Sequence, residues 1–308
     1  MHKFILKRLG LLLPVVLGVI FVIFTLSYIT DGCPATIMLG EHAPAEDIAT
    51  LRTALGLDDP FLVQFGRTVA NTAQLDFGTS YASRRPVFDE IIARFPTTTR
   101  LAGMSIIIAV LLGIPLGILS ATKQYTVFDN GATIVGLLGV SIPNFWLGMM
   151  FILFFSVRLG WFPSSGFESP IHWVLPTFTI GISSMAIIMR MTRSSMLEVI
   201  RQDYIRTARA KGQKESKIIF NHALKNALIP VITVVGLQFG VLLGGAILTE
   251  TIYSIPGLGR FMVDSIRQRD FPIIQGGVLL IALAFSFVNL MVDILYAFVD
   301  PRIRSQYK

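Results

Sequence analysis

The sequence predicts an all-α membrane protein of six transmembrane helices, and three observations predict it. Mean hydropathy is +0.67 with 53% hydrophobic and only 15% charged residues, outside the range of an ordinary soluble domain. Six apolar runs reach about the 20 residues that a bilayer core of roughly 30 Å demands. The basic residues are also distributed with a strong sidedness, which fixes an orientation.

The first run, Leu9 to Ile29, follows Lys3, Lys7 and Arg8 and precedes Gly32 and Cys33, an arrangement that resembles a secretion signal. It is too long for a signal core, Asp31 sits poorly before a lipidation cysteine, and five more runs follow, so residues 1–30 are a tail and a first membrane helix. Cys33 is the single cysteine, which excludes an intrachain disulfide or a cysteine-rich metal site. Residues 31–100 hold "APAEDIATLRTALGLDDPFLVQFGRTVANTAQLDFGTS", where Pro44, Gly56, Pro60 and Gly78 punctuate short amphipathic helices. This is the pattern of a small extracytoplasmic subdomain, and its length suits either the reception of another protein or a lid that only packs on the spans.

Residues 101–308 supply a five-helix core, with runs at Leu101 to Leu119, Gly131 to Val157, Val174 to Met191, Leu228 to Leu248 and Ile273 to Val299. The run beginning at Val174 mixes Pro176, Thr177, Thr179, Ser183 and Ser184 with its apolar residues, so it faces protein or water and not lipid. Pro115, Pro143, Pro176 and Pro230 can each kink a helix. Gly236, Gly240 and Gly244 recur every fourth residue and permit close helix approach, either as packing or as a pore wall. Asn289 and Asp293 are polar positions in the last run; Asp293 suits either a structural pair near the end of the helix or a functional role.

With the N-terminus inside, sixteen of the 26 Lys and Arg fall in cytoplasmic segments. The other ten lie in outside segments beside thirteen acids, whereas the inside segments carry five, so both termini are cytoplasmic. The net charge of +7 is then a consequence of topology, and a nucleic-acid binder loses its support. The long inner segment, residues 192–227, contains "DYIRTARAKGQKESK". Ser195 and Glu198 have the spacing of a capping box that starts a helix at Met196. Gly212 after Lys211 is a helix stop, and "ESKIIFNHALKNALIP" begins a second helix that runs into the fifth span. Charge alone makes this a solvated basic face; the small residues Ala208, Ala210 and Gly212 point instead to docking against another protein. Among motifs, no phosphate loop, zinc helix or nucleophile elbow is present, and the histidines at 2, 42, 172 and 222 lack metal-ligand spacing. A membrane enzyme should show a catalytic constellation and an ion-coupled carrier should show inverted repeats with embedded ionisable groups, and neither pattern is visible.

"DYIRTARAKG" followed by "HALKNALIPVIT" resembles the cytoplasmic coupling loop of permease subunits of bacterial ABC importers, in the branch that moves peptides and nickel complexes. The likeness extends to "GLDDPFLVQF", "LDFGTSY", "SIPNFWLG", "GGAILTETIYSIPGLG" and "VDILYAFVDPRIR", in the same order. The broader importer pattern opens this loop with Glu-Ala-Ala; here Arg206 or Thr207 stands at the Glu, while Ala208 and Gly212 are retained. The resemblance implies a type I ABC importer permease fold in a bacterial cytoplasmic membrane. It implies a second related permease, two cytoplasmic ATPase subunits that hold ATP and Mg, and an extracytoplasmic substrate-binding protein, with no cofactor on this chain. Tyr204, Arg206, Thr207, Ala208, Ala210, Lys211 and Gly212 are then the residues that meet the ATPase. The implied cargo is a di- or oligopeptide, with glutathione and nickel chelates as alternatives.

Overall fold

The computed structural model describes the backbone of residues 2–30, 32–40 and 42–299; side chains are described from residue 10, apart from 31, 41, 293 and those from 296 onward. The chain is helical, and its elements are α1 (His2–Ile29), α2 (Pro34–Leu39), α3 (Ala45–Ala54), α4 (Phe61–Ala73), α5 (Val87–Thr122), α6 (Val127–Ser141) and α7 (Asn144–Phe151). After a π-helical continuation of α7 over Ile152–Arg158 come α8 (Val174–Ile200), α9 (Asp203–Ala210), α10 (Glu215–Lys217), α11 (Leu224–Ile252), α12 (Leu258–Arg267) and α13 (Phe271–Val299). A second π segment, Ile218–Ala223, joins α10 to α11.

Among the described residues five helices are long and apolar enough to cross a membrane, and α6 with α7 makes a sixth if that bent pair is one span. Here the structure corrects the sequence, because the run Gly131 to Val157 is not one helix: its halves meet at 102°. Pro143 is the cause. The residue before a proline avoids the helical region, and Ile142 lies extended at φ −80°, ψ 124°, after which Leu147 N–H donates to the Pro143 carbonyl and the helix restarts. Pro230 sits within the continuous α11, and Pro176 falls in the first turn of α8, where a missing N–H costs nothing.

Two compact units divide the chain, and three helices run through the boundary. One unit takes Leu6–Thr98 and Pro256–Ala284. In it α3 and α4 follow Pro44 and Pro60, and α3 ends before Gly56 at φ 64°, as expected; α4 ends earlier than Gly78, through Leu75 at φ 60°, and Gly78 at φ 73° turns the loop beyond it. Phe21, Phe24 and Tyr28 of α1 interlock with Phe61 and Phe65 of α4, with ring centroids 5.1 to 6.3 Å apart. The buried Asp270 carboxylate accepts from Ser80 Oγ at 2.5 Å and from the backbone N–H of Tyr81 and Ala82 at 3.1 and 3.3 Å. A buried charge must be compensated, and these three donors pin the 80–82 turn beside the start of α13. Burial, aided by the Asp270 charge, pushes the Tyr81 phenol up to about 12, so it stays neutral at physiological pH.

The other unit holds Met1–Ile5, Thr99–Ile255 and Phe285–Lys308, with α8 at its centre. This helix buries Thr177, Thr179, Ser184, Thr192 and Ser195 together with Ile180, Ile188 and Met189. These five polar residues therefore face protein, whereas Ser183 of the same mixed run is only half-buried. Glycines on the flanking helices bring their backbones against it. A Cβ at Gly117 of α5 would lie 2.6 Å from Thr192 Cβ and 2.7 Å from the Met189 carbonyl oxygen, and one at Gly136 of α6 would lie 2.4 Å from Met189 Cε. At the third side Gln238 of α11 donates to Ser184 Oγ at 3.2 Å.

Candidate functional site

The segment after α8 departs from the predicted helix start. Ser195 does not cap anything: it is buried within α8, its Oγ 3.7 Å from Met191 Sδ, and the helix runs on to Ile200. Packing outweighs the local cap signal, since Met196 is fully buried against Ala121 and Ile218. The chain breaks instead at Arg201 and Gln202, where Gln202 turns extended at φ −73°, ψ 149°, and α9 begins with Asp203, whose charge suits a helix N-terminus.

A helix of eight residues is marginal on its own, so α9 needs tertiary support. Ile205 provides it. Its side chain is fully buried in a cluster with Ala121, Met196, Ile218, Ala223 and Ala227. Three polar clamps hold the rest: Asn226 Nδ2 donates to Tyr204 Oη at 2.7 Å, Arg209 pairs with Glu215 at 2.6 Å, and Gln213 Oε1 lies 2.8 Å from His222 Nε2. The Arg209 pair is solvent-exposed and contributes geometry more than stability. Gly212 stops the helix at φ +71° in a left-handed cap: its N–H donates to Arg209 O at 2.9 Å and that of Gln213 to Ala208 O at 3.3 Å.

These contacts sort the seven residues singled out by sequence. Arg206, Thr207, Ala210, Lys211 and Gly212 are exposed, and Tyr204 is exposed though tied through its hydroxyl. Ala208 is half-buried and packs on the Ile205 cluster. The outcome is a fixed small ridge of polar side chains and open backbone, suited to entering a groove. Ile205, Asn226 and Glu215, which position it, were not singled out; Ile205 in an otherwise polar stretch, "DYIRTARAKG", is the signal that could have found the anchor.

A charge pair whose carboxylate is buried joins three helices. Asp129, at the start of α6, accepts from Ser120 Oγ of α5 at 2.5 Å, from Tyr125 N–H at 3.0 Å, and from Arg193 Nε and Nη2 of α8 at 2.8 and 3.0 Å. In sequence Asp129 is only a lone acid in a short segment whose other charge is Lys123.

The small residues of α11 divide. A Cβ at Gly236 or Gly240 would meet Val292 or Phe285 of α13 at 1.8 and 2.5 Å, whereas Gly244 has open space. Asn289 Oδ1 is buried and, among the described residues, accepts no hydrogen bond. Asp293 lies outside the residues whose side chains are described. Among the described residues no group of three or more His, Cys, Asp or Glu could hold a metal ion.

The chain matches known proteins along nearly its full length. The family described as "Binding-protein-dependent transport system inner membrane component" matches residues 113–305, and its N-terminal companion matches residues 1–102. The dipeptide transport system permease protein DppB of Alkalihalophilus pseudofirmus is 44% identical over 99% of this chain and 100% of its own. The glutathione transport system permease protein GsiC of Salmonella paratyphi A is 46% identical over 99% of both, and DppB of Escherichia coli is 43% identical over 99% of this chain. Among solved structures, the MetNI methionine ABC transporter aligns with a TM-score of 0.58 at 20% identity, covering 68% of this chain and 96% of the matched one.

Proposed function

We propose, from the premise that the chain belongs to the binding-protein-dependent transport system inner membrane component family, that it is the transmembrane permease subunit of an ATP-driven importer of short peptides. The supporting observation is full-length likeness to permeases named for dipeptides and for glutathione, both of them cargoes with free carboxylates. In this reading the permease forms half of an alternating-access passage beside a second, related permease. The exposed ridge of α9 docks on one of two cytoplasmic ATPase subunits, which hold ATP and Mg and perform the hydrolysis; this chain binds no cofactor. Closure of the ATPases moves α9, and the Ile205 anchor with the Asp129–Arg193 pair passes that movement to the spans as a rigid body. Residues 31–100 lie outside the bacterial cytoplasmic membrane and help receive a substrate-binding protein, while both termini are cytoplasmic.

Deleting the chain should abolish uptake of labelled dipeptides and restore it on complementation; loss of nickel-chelate uptake with peptide uptake intact would reassign the cargo. Orientation has its own readout. In spheroplasts of a Cys33→Ser background, an impermeant thiol reagent added outside should label Gln74→Cys and spare Gln213→Cys, and equal labelling would exclude the sidedness.

A further inference from the structure

The covered sides of α8 leave one more face, which is open among the described residues. Its contacts with α5 run through Gly113 and Gly117 to Met185, Ile188 and Thr192. Those with α6 run through Gly136 and Gly139 to Met189, Ala186 and Ile182, and α11 reaches Ser184 through Gln238. The remaining positions, Ser183, Ile187, Arg190, Ser194 and Glu198, recur at i, i+4, i+7, i+11 and i+15 and so share one face. Arg190, Ser194 and Glu198 are exposed and Ser183 is half-exposed. One turn before Ser183 the same face is shut: Thr179 is fully buried, its Oγ1 2.9 Å from Tyr253 Oη, which in turn donates to the Gly148 carbonyl at 3.2 Å.

We infer that this face of α8 lines a water-filled cargo passage, closed at its outer end by Thr179 and Tyr253, and that Arg190 receives the carboxylate of a passing short peptide; the inference rests on the peptide-permease reading above. Four of the five open positions are polar or charged, in a helix whose other faces are tightly packed. In the structure the candidate span runs from Pro170 to Ile200, past the Met191 limit read from sequence, and so takes in all five positions; such a face is costly against lipid, and intramembrane ionisable groups turn toward water or protein. The chain neutralises Arg193 with Asp129, yet among the described residues Arg190, less than one turn away, has neither an ion pair nor a hydrogen bond. A guanidinium matches a carboxylate through two parallel hydrogen bonds, which an ammonium cannot do. Glu198, eight residues on and so about 12 Å along the helix, offers the opposite charge. An extended tripeptide spans about 10 Å between its charged ends, so the face complements a zwitterion of that size.

The test uses the assembled importer in liposomes, carrying Cys33→Ser with either Ser183→Cys or Ser194→Cys, and compares an anionic with a cationic methanethiosulfonate. Both cysteines should react, and at Ser194→Cys the ratio of anionic to cationic rate should fall about tenfold on Arg190→Gln, since a charge lining a cleft concentrates counter-ions by that order. Arg190→Gln should also raise the KM of dipeptide uptake about tenfold or more, the loss expected for one charged hydrogen-bond pair, with Arg190→Lys restoring part of it. Unreactive cysteines mean that lipid or the second permease covers the face, and overturn the inference. An unchanged rate ratio, or an unchanged KM, removes Arg190 from it. If the unmutated complex imports no peptide, the peptide reading fails and takes the carboxylate with it, while labelling still reports whether the face is wet.

Discussion

Replacing Arg193 by methionine should destabilise the protein by about 3–5 kcal/mol, the cost of leaving a buried charge without its partner. Asp129 would keep only Ser120 Oγ and the Tyr125 N–H, while its side chain is 4% exposed. Asp129→Leu should cost less, because the Arg193 side chain is 31% exposed and its guanidinium can reach water. The double variant Asp129→Leu with Arg193→Met should recover most of the loss, because a buried ion pair replaced whole by apolar groups is often neutral. Thermal retention of the folded protein in detergent, read for both singles and the double, supplies the coupling. Additive losses in the double variant would show that the two residues act separately, and would remove the pair as the joint between α5, α6 and α8.

That joint marks where the sequence stopped being informative. Composition and long apolar runs follow from the bilayer's thickness and need no tertiary knowledge, which is why the all-α class and five spans could be placed from residues alone. The stops at Gly56 and Gly212 were legible for a local reason: each takes a positive φ that glycine adopts without strain, whereas α4 ends through Leu75 at φ +60°, which no glycine announces. Ser195 shows the opposite case. Its capping spacing is a local signal, and it lost to the burial of Met196 and its neighbours, which keep α8 intact past it. The break at Pro143 was legible as a kink but not as a 102° turn, since a proline removes one hydrogen bond without dictating where the chain goes next. In the candidate site, sequence found the exposed ridge because charge and small size are visible one residue at a time. The clamps Tyr204 to Asn226, Arg209 to Glu215 and Gln213 to His222 link positions 6 to 22 residues apart, and Asp129 to Arg193 links positions 64 apart. Pairings at such separations are fixed by packing, which a single sequence does not display.

Ile205→Asp should disconnect the ATPases while leaving the spans in the membrane. The wild-type side chain is fully buried, and an eight-residue helix without that anchor has little reason to stay formed. Ile205→Ala should already cost about 2–5 kcal/mol locally, and the aspartate adds an unpaired charge, so α9 swings out of its cluster. Neither change touches a span, so insertion and total protein should remain normal. The expected result is loss of the ATPase subunits on purification, or their retention without hydrolysis stimulated by the binding protein. Ala208 is a poorer probe, because it packs half-buried on the same cluster and a bulky replacement would collide within the chain. Gly212→Val is milder: a Cβ there meets open space and only the positive φ resists it, at about 1 kcal/mol. Ala210→Trp separates the two explanations, since Ala210 is exposed and no clamp passes through it. If α9 docks in a groove, Ala210→Trp should impair ATPase retention about as much as Ile205→Asp, with thermal stability of the isolated permease unchanged. Normal transport by both variants would leave α9 a solvated basic face with no role in coupling.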